Sequence, residues 1–437
     1  MTRFDTPVEV AAVLARHARR RITRLLDPAV GTGILVRALA SRLKAGEGSA
    51  LCIDKDAGVL GHCRRDLDTM PSIRARYLNA NFLNWNAGQE RFDCIIMNPP
   101  FDGTGSGRVK VRLSDPNRKG VFKIPVEAGF VLKAVKLLQS GGQLLAILPS
   151  SVIVGEALTW LRQQLMQEGR IRYVHELPHY TFRNVESRVY LMIFEKGKQC
   201  PFLRLSNHDL VRPHTIQLRS SALDSNMRLD FAFCSSTAHL IAASSRKPLL
   251  RWTPLGECVS ITRGRGDSPH DLKSSVHTTD FGSDCWQFSK GPSEIARDAS
   301  PRGIRYHDLL MKRVGRGVAR TLMINNTHNN KRCSDCVIVL RPIQSLDPVK
   351  LLLAIRVLLE SIIGPSLVER GTGARYITEL ALRSLRIPTE LWRVDPSLFR
   401  RYRRLVEGDG NLSTIREIES KFRAKGGLLF ARYGHTE

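Results

Sequence analysis

Asn98, Pro99, Pro100 and Phe101 follow the apolar run of residues 92–97, which reads as a buried strand. Neither proline has an N–H to give to a ladder, so the strand must stop there with Asn98 at its carboxyl end. In open α/β sheets that edge is where ligands bind. The Asn98 amide both donates and accepts, the Pro99 carbonyl can accept, and Phe101 offers a flat apolar face. An exocyclic amino group on an aromatic base needs two acceptors and a ring to stack on. The stretch supplies all three. Taken alone, the four residues are equally a strand followed by a Pro-rich turn.

The elements that would position this group lie upstream. A short strand over residues 22–26 runs into Asp27-Pro28-Ala29-Val30-Gly31-Thr32-Gly33, and an amphipathic helix follows. Strand, Gly-rich turn and helix form the nucleotide-binding half of a doubly wound sheet. Gly31 and Gly33 would let the backbone approach a ligand closely. The third glycine of a dinucleotide fingerprint is missing, and so is the Lys-Ser/Thr of a phosphate loop. Asp27 at the strand end points instead to a cationic ligand group. A second strand over residues 50–53 ends in Asp54, about 20 residues past the glycines, where a carboxylate can accept from two ribose hydroxyls. Its plainer reading is a solvated strand-end charge. Residues 77–82 read as a third strand with Asn81 at its end and Phe82 placed to pack on a flat ring. Thr6-Pro7-Val8-Glu9 reads as a capping box opening a helix to about residue 20.

This order and spacing resemble the class I S-adenosylmethionine-dependent methyltransferases. Asn-Pro-Pro-Phe narrows the resemblance to the amino-group methyltransferases, and the leading Thr-Pro box to the TaqI-like γ-class of N6-adenine DNA methyltransferases. The resemblance implies an α/β fold with a doubly wound, mainly parallel, Rossmann-like sheet, S-adenosylmethionine as cofactor, and an adenine flipped out of double-stranded DNA as target. It implies cofactor contacts from Thr6, Asp27, Ala29, Gly31, Gly33, Asp54, Asn81, Phe82 and Asn98. It assigns catalysis to Asn98, Pro99, Pro100 and Phe101, with Phe101 and Phe182 stacking beside the target base. Phe182 is equally read as a core residue. Two positions depart from the pattern: Asn81 stands where Asp is usual, and Phe101 where Tyr is commoner. No metal is required by this chemistry. A helix over residues 127–138, a Gly-Gly turn with a buried strand at 141–149, and a late hairpin at 177–194 continue the resemblance. Residues 102–125, rich in Gly, Ser, Arg and Lys, read as a loop ordered by nucleic acid or as a plain flexible surface loop.

The composition agrees with a nucleic-acid partner. The chain of 437 residues carries a net charge of +26 and a pI near 10.2, with 42% hydrophobic and 25% charged residues. Basic residues exceed acidic ones in both halves, and such a field favours a polyanion. The nine cysteines are odd in number and scattered through apolar runs, as in reduced core thiols. Cys333 and Cys336 form the one close pair, without a second pair at zinc-finger spacing. No apolar run reaches membrane-span length and no secretory leader is expected, so the expected location is the cytoplasm.

The methyltransferase domain is expected over residues 1–197. Residues 198–392 resemble the α+β target-recognition domains of type I specificity subunits and TaqI-like enzymes. There Arg263, Arg265, Lys312, Arg313 and Arg316 sit in Arg-Gly loops suited to a phosphate backbone, or form a solvated basic face. Residues 393–437 read as a basic helical tail. A separate restriction endonuclease or defence-system subunit is a possible partner implied by the resemblance. Alternatives are a methyltransferase acting on RNA or on a protein glutamine, and a catalytically silent DNA-binding relative.

Overall fold

The computed structural model describes residues 5–101, 107–115, 118–178, 181–182, 188–223, 227–246, 250–264, 275–282, 287–288, 303–326, 332–371, 375–408 and 410–430. The chain divides into two compact units, Met1–Cys234 and Ser235–Glu437.

Eleven strands of the first unit follow in chain order: β1 (Arg24–Asp27), β2 (Ser49–Asp54), β3 (Arg74–Asn79), β4 (Phe92–Met97), β5 (Arg108–Asp115), β6 (Arg118–Pro125), β7 (Leu138–Pro149), β8 (Gly169–Glu176), β9 (Val189–Lys196), β10 (Phe202–Ser206) and β11 (Thr215–Arg219). Nine of them make one sheet in the order β3-β2-β1-β4-β7-β9-β8-β10-β11. β3, β2, β1, β4 and β7 run parallel to one another, while β9 lies antiparallel to both neighbours. The chain moves from β1 outward to β3 and then returns to β4 on the other side of β1. That reversal is a topological switch point, the place where such sheets bind ligands.

The strands are apolar almost throughout because both faces are covered. Side chains alternate across a strand, and the two hydrophobic cores divide accordingly. Leu26, Leu51, Ile53, Ile95, Met97, Leu144 and Ala146 join one core. Leu25, Ala50, Cys52, Cys94, Ile96, Leu145 and Ile147 join the other. The first core is covered by α4 (Val126–Leu137), α5 (Ser150–Ile153) and α6 (Thr159–Glu168). The second is covered by α1 (Val8–Arg16), α2 (Ile34–Ala38) and α3 (Ala57–Asp68). Asp93, buried inside β4, is tolerated because its carboxylate accepts from Thr23 N at 2.8 Å and Arg24 N at 3.1 Å.

Three expectations are corrected. Residues 108–115 and 118–125 are not a loop but an antiparallel hairpin, β5 paired with β6. Arg108-Val109-Lys110-Val111-Arg112 alternates polar and apolar, and Val109, Val111, Phe122 and Ile124 join the apolar core. Second, the first unit does not end near residue 197, since β10 and β11 extend its sheet. Third, the described part of residues 393–437, up to residue 430, is not an appendage. Helices Pro396–Glu407 and Leu412–Lys425 bury Phe399, Tyr402, Ile415 and Phe422 in the core of the second unit. That unit is α+β, with a five-stranded, mostly antiparallel sheet built on Val259–Arg263, Val337–Pro342 and Leu309–Lys312. Its helix Pro348–Leu359 is capped by the Asp347 carboxylate, which accepts from Val349 N and Lys350 N. Among the described residues no helix is long and apolar enough to cross a membrane.

A buried ion pair ties these helices together. Arg356 Nε donates to Glu419 Oε1 at 2.6 Å, its NH1 donates to Leu322 O at 2.9 Å, and Tyr402 OH donates to Glu419 Oε1 at 3.2 Å. Arg356 is 3% exposed and Glu419 fully buried. Removing one member of such a pair strands the other charge. Glu419→Ala is therefore expected to cost about 3–5 kcal/mol in urea unfolding, with Arg356→Met/Glu419→Leu far closer to neutral. Equal losses for both variants would show that packing, not the stranded charge, sets the cost.

Candidate active site

Because β1, β2, β3 and β4 are parallel, their carboxyl ends share one edge, and a cavity of about 220 Å³ opens there. Thr6, Ala29, Gly31, Asp54, Asn81, Phe82, Asn98, Pro99 and Pro100 line it. Nine sequence-predicted residues, drawn from five places in the chain, thus converge on one space.

The Gly turn is built from main-chain bonds to β2. Val30 N donates to Ile53 O at 2.9 Å, and Gly31 N donates to Asp54 Oδ2 at 3.1 Å. Asp56 N donates to the other Asp54 oxygen at 3.0 Å. Asp54 is therefore oriented by two backbone donors and lines the cavity. Gly31 sits at φ 57°, in the left-handed region that glycine occupies without strain. Gly33 (φ 77°) has a different duty from the one expected. It does not line the cavity, and a Cβ there would lie 2.9 Å from Cys63 Sγ on α3. It is glycine so that α2 and α3 can approach.

Asp27 does not line the cavity either; it lies fully buried beneath the turn. Ala29 N donates to its Oδ1 at 3.1 Å, while Oδ2 has no hydrogen-bond partner. Burial pushes its pKa up to about 8, against the Ala29 N–H, with the nearby Asp54 charge adding to the rise. A buried, half-paired carboxyl beside a second carboxylate suits a cationic ligand group.

Thr6 corrects the capping-box reading. Helix α1 begins at Val8, has Pro7 at its N-cap with no side-chain cap bond, and ends at Arg16. The Thr6 hydroxyl, almost buried, instead accepts from Asn98 Nδ2 at 3.0 Å. The contact joins residues 92 positions apart and fixes the direction in which Oδ1 points.

Asn81 and Phe82 lie just past β3 rather than inside it. Asn81 Oδ1 accepts from Leu83 N at 3.0 Å, making an Asx turn. Phe82 is 2% exposed, its ring 5.0 Å from that of Phe130 on α4. Sequence reasoning missed Lys133, also on α4. Its ammonium donates to Phe82 O at 2.5 Å, to Leu83 O at 3.1 Å and to Trp85 O. Phe130 lines the cavity with Phe82. A lysine one turn after an aromatic on an apolar helix was the signal available, and it is a weak one.

The two proposed stacking aromatics fare differently. Phe101 is half-buried and packs on the core shared by α1 and α2. Phe182 is 5% exposed in that same core and does not line the cavity, so here it is a core residue. In the second unit, Arg263 Nη2 donates to Asp335 Oδ2 at 3.0 Å and Arg313 Nε to Asp335 O at 2.6 Å. Both guanidinium groups are thus engaged on the Cys333–Cys336 loop rather than presented freely. Lys312 Nζ lies 5.9 Å from the Phe281 ring centroid, Arg316 is exposed in a turn, and Arg265 lies outside the described residues. Among the described residues no group of three or more His, Cys, Asp or Glu is placed to hold a metal ion.

The strand order, with β9 and β11 reversed against the rest, and the acid-bearing Gly turn make a doubly wound, mainly parallel α/β sheet of Rossmann-like type. Within it, residues 58–182 match the Eco57I restriction-modification methylase family. The chain is 23% identical to the type II methyltransferase M.BsuBI of Bacillus subtilis over 198 residues, 39% of this chain and 38% of that protein. It is 30% identical to the type II methyltransferase M.TthHB8I of Thermus thermophilus over 127 residues, 27% of this chain and 29% of that one. The chain thus spans about a third of the length of these curated relatives. Among solved structures, the type IIG restriction endonuclease BpuSI aligns with 97% of this chain and 65% of its own, at 13% identity and a TM-score of 0.45. A type I restriction-modification methyltransferase subunit from Streptococcus thermophilus aligns with 56% of this chain and 53% of its own, at 20% identity and a TM-score of 0.39.

Asp27 makes a pH prediction. Its pKa is raised, so between about 4 and 8 the folded protein holds a proton that the unfolded chain releases. Its contribution to stability is therefore present at low pH and is lost as pH rises through about 8. Asp27→Asn should remove this slope. Urea unfolding of both proteins from pH 5 to 9 checks it: the stability difference should shift in favour of the variant as pH rises, and a constant difference would show that Asp27 is already ionised.

Proposed function

We propose that this chain is a site-specific DNA methyltransferase that moves a methyl group from S-adenosylmethionine to the N6 amino group of an adenine flipped out of double-stranded DNA. The observation that carries the reading is the Asn98–Thr6 bond at the mouth of a cavity floored by acids. An amide locked by its own Nδ2 holds its Oδ1 in one direction, as an acceptor for a substrate amine must be held.

The residues present fit the cofactor. Asp54, held by two backbone donors, would accept from the ribose hydroxyls. Asp27, buried beneath the Gly turn, would favour the ammonium group electrostatically without touching it, and Phe82 would pack on the adenine ring. The bound cofactor supplies an electrophilic methyl on a sulfonium. Everything else falls to this chain. Asn98 Oδ1 and the Pro99 carbonyl would accept from the two N–H bonds of the target amine. That turns nitrogen lone-pair density away from the ring and along the transfer line. Phe101 would stack on the extruded base. A base must leave the duplex because its amino group is hydrogen-bonded inside it. Transfer is then direct and in-line, with positioning and preorganised acceptors supplying most of the rate.

The division of labour we infer gives the chemistry to the first unit and sequence reading to the second, whose surface carries Arg316 and Lys312. Similarity to restriction-modification methylases supports a DNA substrate and, with it, a cytoplasmic setting and a nuclease or defence-system partner.

Transfer of a tritiated methyl group to DNA, RNA and protein substrates tests the substrate class. Asn98→Ala should retain cofactor affinity in calorimetry and lose about 100–1000-fold in turnover, the effect of removing one preorganised polar contact from a transition state (~2.7–4 kcal/mol). Thr6→Val should lower turnover less, because it frees the amide to rotate without deleting the acceptor. Wild-type turnover in Asn98→Ala would end the catalytic assignment.

A further inference from the structure

We propose that the β5–β6 hairpin is a phosphate-binding surface that grips the backbone of duplex DNA beside the target base. The inference rests on the DNA reading above and adds a surface to it within the catalytic unit.

The hairpin has two chemically distinct faces. Val109, Val111, Phe122 and Ile124 pack inward, and Gly129 of α4 is bare where Val109 sits: a Cβ there would lie 2.9 Å from Val109 Cγ2. Val126 N also donates to Gly107 O at 3.0 Å, closing the base of the hairpin. The element is therefore docked on the fold. On the other face Arg108, Lys110 and Arg112 occupy alternate positions of β5, all exposed, and Lys123 lies directly opposite Lys110. Like charges directly opposite in a sheet are destabilising. Among the described residues no carboxylate pairs with any of these four cations. A docked face that keeps an uncompensated cationic row is built for an anion arriving from outside.

Its spacing suits one anion in particular. Alternate residues of a strand lie about 6.6–6.8 Å apart. One DNA strand rises about 3.4 Å along the helix axis per phosphate and also winds around it, so neighbouring phosphates lie farther apart than that rise and the row of three cations can follow successive phosphates of one strand. The face is also tethered close to the chemistry. Six residue steps separate Phe101 from Gly107, and a chain that length spans at most about 20–22 Å. Backbone held there is backbone that flanks the flipped base, and a grip on it opposes the return of that base to the stack.

The test uses the full chain and a duplex carrying the methylated site, with binding measured across a salt series. Each lost phosphate contact flattens the log–log slope by about 0.9. Arg108→Gln/Lys110→Gln/Arg112→Gln should therefore lose about 2–3 units of slope, with S-adenosylmethionine affinity unchanged as the sign of an intact fold. Arg108→Lys/Arg112→Lys should keep the wild-type slope. Lys110→Gln alone, the mildest change, should lose about one unit. If the wild type methylates DNA but all slopes coincide, the hairpin is only a solvated face and this inference falls while the functional reading stands. If the wild type methylates RNA or protein and not DNA, both fall together.

Discussion

A strand buried on every side that ends in two prolines is the constraint from which the rest of the site follows. β4 has all six residues buried, and neither Pro99 nor Pro100 can extend its ladder. Asn98 is thereby delivered to the carboxyl edge, in register with the ends of β1 and β2. A polar amide at a strand end has no ladder to satisfy it, so its orientation must come from elsewhere. Thr6 provides it from 92 positions earlier in the sequence. The residues before α1 are thus part of the site, and Thr6 is withheld from the helix it precedes.

The charge of the site opposes the charge of the chain. The protein carries +26 overall, yet Asp27, Asp54 and Asp56 cluster around the Gly turn. The two scales select different things. A net positive field acts at a distance and gathers polyanions. A buried carboxyl acts within a few ångströms and favours a cation, all the more because burial keeps water from screening it. Asp27 is held near neutrality by its own burial, and a cationic ligand would return its charge. A site of this kind distinguishes a small cationic ligand from the polyanion around it without any conformational change.

Most of the fold was legible because the signals are local. Buried strands in a parallel sheet read as apolar runs, the Gly turn announces itself, and the order of strand ends can be read in sequence. The misreadings share a cause: each concerned what a side chain meets far along the chain. Thr6 reads as a cap because the helix beside it is visible and Asn98 is not. Gly33 reads as a ligand contact because Cys63 lies 30 residues away in the sequence. Arg263 and Arg313 read as exposed phosphate ligands because nothing local reveals Asp335 between them. The hairpin was hidden differently. Composition spoke for a loop, but the alternation Arg-Val-Lys-Val-Arg carried the periodicity of a strand. The C-terminal helices look like a basic tail because only their buried stripe, Phe399, Tyr402 and Val406, matters to folding, and it is outnumbered by arginines.

Asn81 shows how a departure from a family pattern can be absorbed. The resemblance expects a carboxylate there. In this chain Oδ1 accepts from Leu83 N, a bond that a carboxylate oxygen would make equally well, so the turn is indifferent to the change. The turn is fixed from below by Lys133, whose three ammonium donors meet three carbonyls of residues 82–85. That arrangement closes main-chain acceptors as a helix C-cap would, and it pins Phe82 against Phe130. The position of residue 81 is thus set by α4 and not by the chemistry of its own side chain. What the amide alters is the charge offered to the cavity: a neutral group with two donors replaces a second-rank acid in a site that already holds Asp54. A heteroaromatic ring presents acceptor nitrogens as well as an amino group, and an amide can meet either edge where a carboxylate repels one of them.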